Sequence, residues 1–407
     1  AFVAMVKPED VAGGLEDLLT EIERARRFGF TQGEYERATK QLLTFFRSNA
    51  SDDAAGKESS SALVDELTRH HLGGEGMPGR PMELAIAEQF GKTVPLSELT
   101  APLQGYLEPA GLIAASIGTF SGGALSKDDF LEQLAKVSKK ELVPYADQRS
   151  DEPLLATLPK PGAISKETLH EEVGVHEWTL SNGARVVLKP TDFRGDQILI
   201  RASSPGGTSL LSTEQLAPVR LAVEAVSRGG AGSFDSVALS KALAGRKVEL
   251  SSYIGRHEEG IVGSSGQEDL ETFLQLVHMR FVAPRKDEKA FKIFKTEQLE
   301  ETKLSSNKPE VRFSRKLERF LENQDPRTVP WDEKAAQALD LDASFEFYKD
   351  RFRDAGDFTF YIVGSFEMET LKPLVLRYLG GLPDSGRREE YKLHAWPSPT
   401  KQRLMQE

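Results

Sequence analysis

The sequence predicts an α+β protein built from tandem α/β domains, each a mainly antiparallel sheet packed with helices. Three observations carry that expectation. Residues 1–145 are mostly helical in pattern, residues 178–264 alternate short strands with pairs of helices, and a Pro-rich stretch separates the two sets. With 407 residues, 39% of them hydrophobic, the chain can bury two or three cores.

The first set opens with strand character at Phe2-Val-Ala-Met-Val6. From Pro8 to Arg27, Val11, Leu15, Leu18, Leu19 and Ile22 recur at helical spacing, with Pro8 near the first turn. Thr31-x-x-Glu34 is a capping box, and it predicts a helix from Gln32 to Arg47. Shorter helices follow at Ala62 to Leu72, Met82 to Phe90 and Leu96 to Leu107. A strand is expected at Gly111 to Ile117 and a capped helix at Ser126 to Leu142. Pro144, Pro153, Pro159, Pro161 and Gly162 then break both periodicities, which places a linker over residues 146–172.

The second set, residues 173–340, begins with a hairpin. Asn182-Gly183 separates Thr179-Leu180 from the alternating Arg185-Val-Val-Leu188, and Asn-Gly supplies the positive φ angles of a tight turn. A strand at Ile198 to Ala202 leads to helices at Glu214 to Ser227 and Ser236 to Ala244. Lys247 to Ile254 and Gly260 to Ser264 form a strand pair. Helices at Leu270 to Phe281, Glu288 to Leu304 and Glu310 to Leu321 complete the set. Beyond residue 341, a short helix in Phe345-Glu-Phe-Tyr-Lys-Asp-Arg351 precedes a buried strand, Phe358 to Gly364, and a helix from Glu367 to Leu379. Arg377-Tyr-Leu-Gly-Gly-Leu-Pro383 ends that run, and residues 341–407 are expected to open a further domain and stop partway through it.

Composition removes several function classes. The chain carries 52 basic and 63 acidic residues, a net charge of -11, and no dense Lys/Arg face, which argues against nucleic acid or an anionic membrane as partner. No apolar run is long enough to predict a membrane span. With no cysteine there are no disulfides, thiolate metal sites or cysteine nucleophiles, a composition that suits cytoplasm and periplasm equally. No signal-peptide pattern opens the sequence.

Motif by motif, the chemistry is sparse. The seven histidines are His70, His71, His170, His176, His257, His278 and His394, and none lies in a His-x-x-Glu-His or His-Glu-x-x-His motif. His70-His71 near Glu75 reads as the end of a helix, where positive charge suits the dipole. His170 and His176 flank the linker, and His257-Glu258-Glu259 reads as a turn between strands. Arg228-Gly-Gly-Ala-Gly-Ser-Phe234 follows a helix instead of opening one, so it is a helix stop and neither a P-loop nor a dinucleotide fingerprint. Gly206-Gly207 is a strand-to-helix turn. Gly263-Ser-Ser-Gly266 is one residue short of a nucleophile elbow and reads as a strand end. Asn49-Ala-Ser51 is a chance sequon, and Lys286 to Lys303 is a solvated helix of mixed charge. Arg377-Tyr378, about 100° apart on a helix, belongs to the framework.

The ordered series Leu180-Ser-Asn-Gly-Ala-Arg-Val-Val-Leu188, Ser204-Pro-Gly-Gly-Thr208, Leu243-Ala-Gly245, Asp269-Leu-Glu-Thr-Phe-Leu274 and Tyr378-Leu-Gly-Gly-Leu-Pro383 resembles the pitrilysin/insulinase family of zinc peptidases. Gly29-Phe-Thr-Gln-Gly-Glu-Tyr-Glu-Arg-Ala-Thr-Lys40 resembles a helix start of the same family, and Pro284 to Lys295 echoes it loosely. The resemblance implies a pitrilysin-like, LuxS/metallopeptidase-like fold. It implies proteins of two halves, each of two related domains, that enclose a chamber for peptides. Residues 1–145 would be the latter part of the second domain, 173–340 a degenerate third domain, and 341–407 a truncated fourth.

An active half of that family carries zinc on an inverted His-x-x-Glu-His motif, with a further Glu downstream. Here the corresponding stretch is Leu216 to Ser227, and the motif positions fall on Leu221, Glu224 and Ala225. Both imidazoles are missing. The resemblance therefore implies no catalytic, cofactor-binding or metal-ligating residue in this chain. Zinc would sit outside it, in a longer parent that hydrolyses peptides or small unfolded proteins. This chain would supply part of the chamber wall and partner the missing N-terminal catalytic half. The alternative is a catalytically inactive scaffold or interaction protein on the same fold. Family analogy leans toward a periplasmic or envelope location in a bacterium.

Overall fold

The computed structural model describes residues 2–4, 6, 10–54, 56–106, 115, 125–146, 152–328 and 330–396. They divide into two units, residues 1–47 with 78–149 and residues 48–77 with 150–407. Six helices come first: α1 (Val11–Phe28), α2 (Gln32–Ala54), α3 (Ser60–Gly73), α4 (Arg80–Thr93), α5 (Leu96–Tyr106) and α6 (Lys127–Ser138).

The first unit is helical in its described residues, as its amphipathic spacing predicts. The capping box of α2 forms: the Glu34 amide donates to Thr31 Oγ1 at 3.2 Å and the Thr31 amide to Glu34 Oε2 at 2.7 Å. A matching box opens α6, between Ser126 and Asp129. Arg27 on α1 donates to the carbonyls of Lys140 (2.8 Å) and Ser138 (2.6 Å), groups that the end of α6 leaves without helical partners. Residues 2–4 and 6 are not in a strand, contrary to expectation: among the described residues no second strand pairs with them, and a strand needs a ladder to satisfy its backbone. The strand expected at Gly111 to Ile117 lies outside the described residues apart from Ala115.

The second unit is organised by one seven-stranded sheet. In chain order it contains β1 (Ile164–His170), β2 (Val175–Leu180), β3 (Arg185–Pro190), β4 (Ile198–Pro205), α7 (Thr213–Val219), α8 (Ala222–Gly229), α9 (Ser236–Ala242), β5 (Val248–Ile254), β6 (Glu258–Ser265), α10 (Leu270–Val282), α11 (Glu288–Ser305), α12 (Pro309–Leu321), α13 (Glu333–Ala338), α14 (Leu341–Arg351), β7 (Thr359–Gly364) and α15 (Met368–Tyr378). The strand order is β1-β2-β3-β7-β4-β6-β5, and every neighbouring pair is antiparallel except β3 with β7. The Asn182-Gly183 turn joins β2 to β3, with Gly183 at φ 86°.

Three expectations change. The linker placed over residues 146–172 contains β1, which pairs with β2 from Ile164↔Leu180 to His170↔Val175. Its Ser, Lys, Glu and Thr residues hide the strand pattern because an edge strand needs one partner and little burial. The boundary placed between 340 and 341 does not divide the sheet. β7 lies in its middle, parallel to β3 and antiparallel to β4, so residues 341–382 complete this fold instead of opening another. Finally, the helix expected from Glu214 to Ser227 is interrupted at Arg220 and Leu221. Pro218 withdraws an N–H from the helix ladder, and its carbonyl accepts instead from the Asp340 amide (3.1 Å) and Ser344 Oγ (3.2 Å).

One face of the sheet is the core. Trp178, Val186, Leu188, Ile198, Ala202, Ile261, Phe360 and Ile362 are buried there against Phe273, Val277 and Phe281 of α10, Tyr348 of α14 and Val375 of α15. Phe281 is the focus of an aromatic nest, with ring centroids 4.9 Å from Phe358, 5.5 Å from Phe352 and 6.1 Å from Phe360. The opposite face is open: Leu199, Val262 and Tyr361 are 50%, 39% and 42% exposed. Among the described residues no helix is long and apolar enough to cross a membrane.

Candidate functional site

The three positions to which the resemblance assigns the zinc motif, Leu221, Glu224 and Ala225, lie at the start of α8. Leu221 is the N-cap residue of α8, Glu224 is exposed in its first turn, and Ala225 is buried. Leu221 and Ala225 pack with Phe291 and Phe294 of α11, Leu339 and Trp331. Arg228 lies over the Phe294 ring at 5.6 Å and pairs with Glu297 at 3.1 Å. Zinc takes nitrogen, sulfur or carboxylate oxygen donors in tetrahedral array. Leu221 and Ala225 supply none, and the single carboxylate of Glu224 falls short of the three protein ligands the metal needs. Among the described residues, no group of three or more His, Asp or Glu side chains converges as a metal site.

The histidines serve local structure. His70 and His71 stand in the last turn of α3, where His70 Nδ1 meets the Glu75 carbonyl at 2.5 Å and the Glu75 carboxylate takes Arg69 at 3.1 Å. His170 lies 3.3 Å from Glu177. His278 is buried, its Nδ1 2.9 Å from the Tyr378 carbonyl, and burial holds its pKa below the usual value. His176 is half-buried on β2. Arg377-Tyr378 is framework, with the buried Tyr378 hydroxyl donating to Glu271 at 2.7 Å. Gly230 ends α8 at φ 92° in the Arg228 to Phe234 segment, Gly263-Ser-Ser-Gly266 closes β6, and Asn49 to Ser51 lies within α2. Along α11, only Phe294 and Thr302 are buried.

The concentration of buried charge lies elsewhere, beneath the Gly206-Gly207 turn. β4 ends there, and the chain passes through a single 3-10 turn, Gly207–Leu210, into α7. The Gly207 amide donates to Glu259 Oε2 at 2.6 Å. Across that carboxylate stands Arg351, the last residue of α14, with Nη1 3.8 Å from Glu259 and 3.0 Å from Glu389. Arg351 also pairs with Asp350, which takes Arg387 at 2.8 Å, and Arg387 Nε lies 3.2 Å from Asp354. Glu259, Arg351 and Asp354 are 1%, 4% and 1% exposed. Burial pushes the Glu259 carboxyl up to about 7, aided by Glu389 and opposed by the Gly207 amide and Arg351. Such a group exchanges a proton near neutral pH.

The turn itself admits little change. Gly207 sits at φ 61°, and an added Cβ would come within 2.5 Å of the Gly255 carbonyl oxygen and 2.8 Å of the Arg256 carbonyl carbon, both backbone atoms. Gly207→Ala is expected to cost roughly 2 kcal/mol or more, from left-handed strain plus displacement of the β5–β6 turn. A shift of the urea midpoint at unchanged slope checks it; an unshifted midpoint would refute the packing argument.

Sequence reasoning read His257-Glu258-Glu259 as a turn. Residues 255–257 do form the β5–β6 turn, but Glu258 and Glu259 open β6. Arg351 entered the sequence reading only as part of a short helix, and neither Asp354 nor Glu389 was assigned a role. The available signal was two adjacent glutamates entering a strand, where alternation sends one of them inward.

No family model matches the chain. Among curated proteins it is 25% identical over 369 residues to a zinc protease PQQL-like of Arabidopsis thaliana, covering 89% of this chain and 36% of that protein. It is 27% identical over 227 residues to the probable zinc protease PqqL of Escherichia coli (strain K12), covering 56% of this chain and 24% of that protein. Among solved structures, the periplasmic protease PqqL from Escherichia coli superposes with a TM-score of 0.55 at 21% identity, over 93% of this chain and 42% of that one. The ferredoxin protease FusC E83A mutant, in complex with Arabidopsis ferredoxin, gives 0.53 at 17% identity, over 95% and 42%. The chain thus spans well under half the length of these relatives. The fold is thus the one seen in the periplasmic protease PqqL structure, and the matched curated relatives carry zinc-protease names, in line with the resemblance.

Proposed function

We propose that this chain is a non-catalytic region of a pitrilysin-type zinc peptidase, forming part of the wall of a peptide-enclosing chamber. The observation that carries this reading is the apolar packing of Leu221 and Ala225 against Phe294 and Leu339, where an active relative would hold imidazoles. The open face of the sheet supports the wall role, because Leu199, Val262 and Tyr361 offer apolar contact beside the polar groups of Arg201 and Glu258. In this reading catalytic zinc, the activated water and its general base belong to a longer parent protein. The chain's own contribution is enclosure and orientation of peptide or small protein substrates. A periplasmic setting follows the relative of known location.

The test is zinc content and hydrolysis of a quenched peptide library, measured on this chain and on a longer parent protein side by side. A zinc-free, inactive chain beside a zinc-loaded, active parent is the expected result. Stoichiometric zinc in the chain alone would overturn the reading, and a parent that lacks both zinc and activity would replace it with a scaffold role.

A further inference from the structure

The segment after α15 crosses the second unit as a strap that buries little and is held by polar contacts. Ser385 donates from its amide and its hydroxyl to Asp354 Oδ1, both at 2.5 Å. Glu389 meets Arg351 at 3.0 Å, and Tyr391 packs on the His257 ring at 5.1 Å between centroids. Beyond it, the Lys392 amide donates to Ser209 Oγ at 2.9 Å and His394 Nε2 lies 2.7 Å from the Ser209 carbonyl. Trp396 Nε1 donates to the Asn323 carbonyl at 2.9 Å. Yet Tyr391, Leu393 and Trp396 are 48%, 78% and 47% exposed. A segment held this way opens at low free energy, because few apolar contacts oppose its release.

The strap's only carboxylate on Arg351 is Glu389, and Arg351 is shared with Glu259 beneath it. Glu259, Glu389, Asp350 and Asp354 are four carboxylates. Facing them are Arg351 and Arg387, with the more exposed Arg353 3.4 Å from Asp354. These groups include one more anion than cations, and Asp357, which accepts from the Glu389 amide at 3.3 Å, and the Asp384–Arg388 pair border them. We propose that the strap at residues 384–396 is a proton-controlled clasp, docked while Glu259 is neutral and Arg351 serves Glu389, and released when an ionised Glu259 takes Arg351 for itself. Nothing in this depends on zinc or on peptidase activity.

The groups around Glu259 all bear on the switch. The β4 end and the turn present Ser204 Oγ and the Gly207 amide, and no ionisable side chain. α14 brings Asp350 and Arg351. The β5–β6 turn and β6 bring Arg256, paired with Asp325 at 3.1 Å, His257, and Glu258, the last paired with Arg201 on the open face. The strap brings Arg387, Glu389, Glu390, Lys392 and His394. Two histidines, His257 and His394, therefore stand nearby and need their own controls.

The chain has three tryptophans, and Trp396 alone lies on the strap. With 5-fluorotryptophan incorporated and Trp396→Phe used for assignment, the Trp396 fluorine resonance reports docking. It should shift between pH 5.5 and 8.5 with a midpoint near 7. Glu259→Gln should hold the docked position throughout, and Glu389→Gln should show the released position already at pH 6. His257→Gln and His394→Gln each remove a strap contact and should displace the midpoint, but the pH-dependent shift itself should persist in both. A titration that survives in Glu259→Gln, disappears in either histidine variant, or is absent from the wild-type chain overturns the proposal. Should Glu259→Gln fail to fold, Glu389→Gln decides: a strap that stays docked at pH 6 in that variant overturns the proposal.

Discussion

A chain ending at residue 340 will not form the sheet, whereas one ending at residue 396 will fold. β7 lies between β3 and β4, and both of those strands would lose their partner on one side. Phe358, Phe360 and Ile362 would also leave the core, together with Tyr348, Phe352, Leu371, Val375 and Tyr378. Burying one such side chain contributes roughly 1.5–3 kcal/mol, so losing eight of them removes about 12–24 kcal/mol, comparable to or larger than the roughly 5–15 kcal/mol that holds an ordinary domain together. Near-ultraviolet circular dichroism and a urea transition on the two truncated chains check this. A cooperative transition in the shorter chain would refute it and restore the boundary at 340/341.

The second large effect concerns acid and base. Glu259 titrates near 4.5 when unfolded and at about 7 when folded. The folded state therefore holds the proton more tightly. Between those two values the native protein binds more protons than the unfolded chain, so stability falls as pH rises. The stabilisation is fully present below about pH 4.5 and is gone above about pH 7. At about 1.4 kcal/mol per pH unit of displacement, the whole effect is about 3 kcal/mol. Carboxylates such as Asp350 and Glu23, held low by arginine partners against the opposing effect of burial, contribute the opposite slope at lower pH. The diagnostic quantity is therefore a difference. Urea unfolding free energies of wild type minus Glu259→Gln should decline between pH 5 and 8, and a pH-independent difference would show that the buried carboxyl is ionised throughout.

The helices were legible because their evidence is local. Thr31 and Glu34 announce a capping box and form one, and the apolar spacing of Leu270 to Phe281 becomes the buried face of α10. Asn182-Gly183 specified its turn for the same reason. Sheet order was not legible. The strand at Phe358 to Gly364 was foreseen with almost its observed bounds, but nothing within those seven residues says that Arg185 and Ser203 will be partners of Thr359. β1 was missed because an edge strand can be polar, and the break at Pro218 because its carbonyl is satisfied by α14, far along the chain. The charge cluster was hidden for the same reason. Glu259, Arg351 and Glu389 are ordinary surface residue types until the fold puts them under one turn.

The place of β7 also sets a timetable. During synthesis β3 and β4 emerge long before Thr359, and each waits with an unpaired edge lined by Val186, Leu188, Ile198 and Ile200. Long-range parallel pairing is slow because the loop must close before any contact rewards it. The nascent chain thus passes through an interval in which its two best strands could pair with those of a neighbouring copy. A holdase bound until β7 arrives would cover that interval.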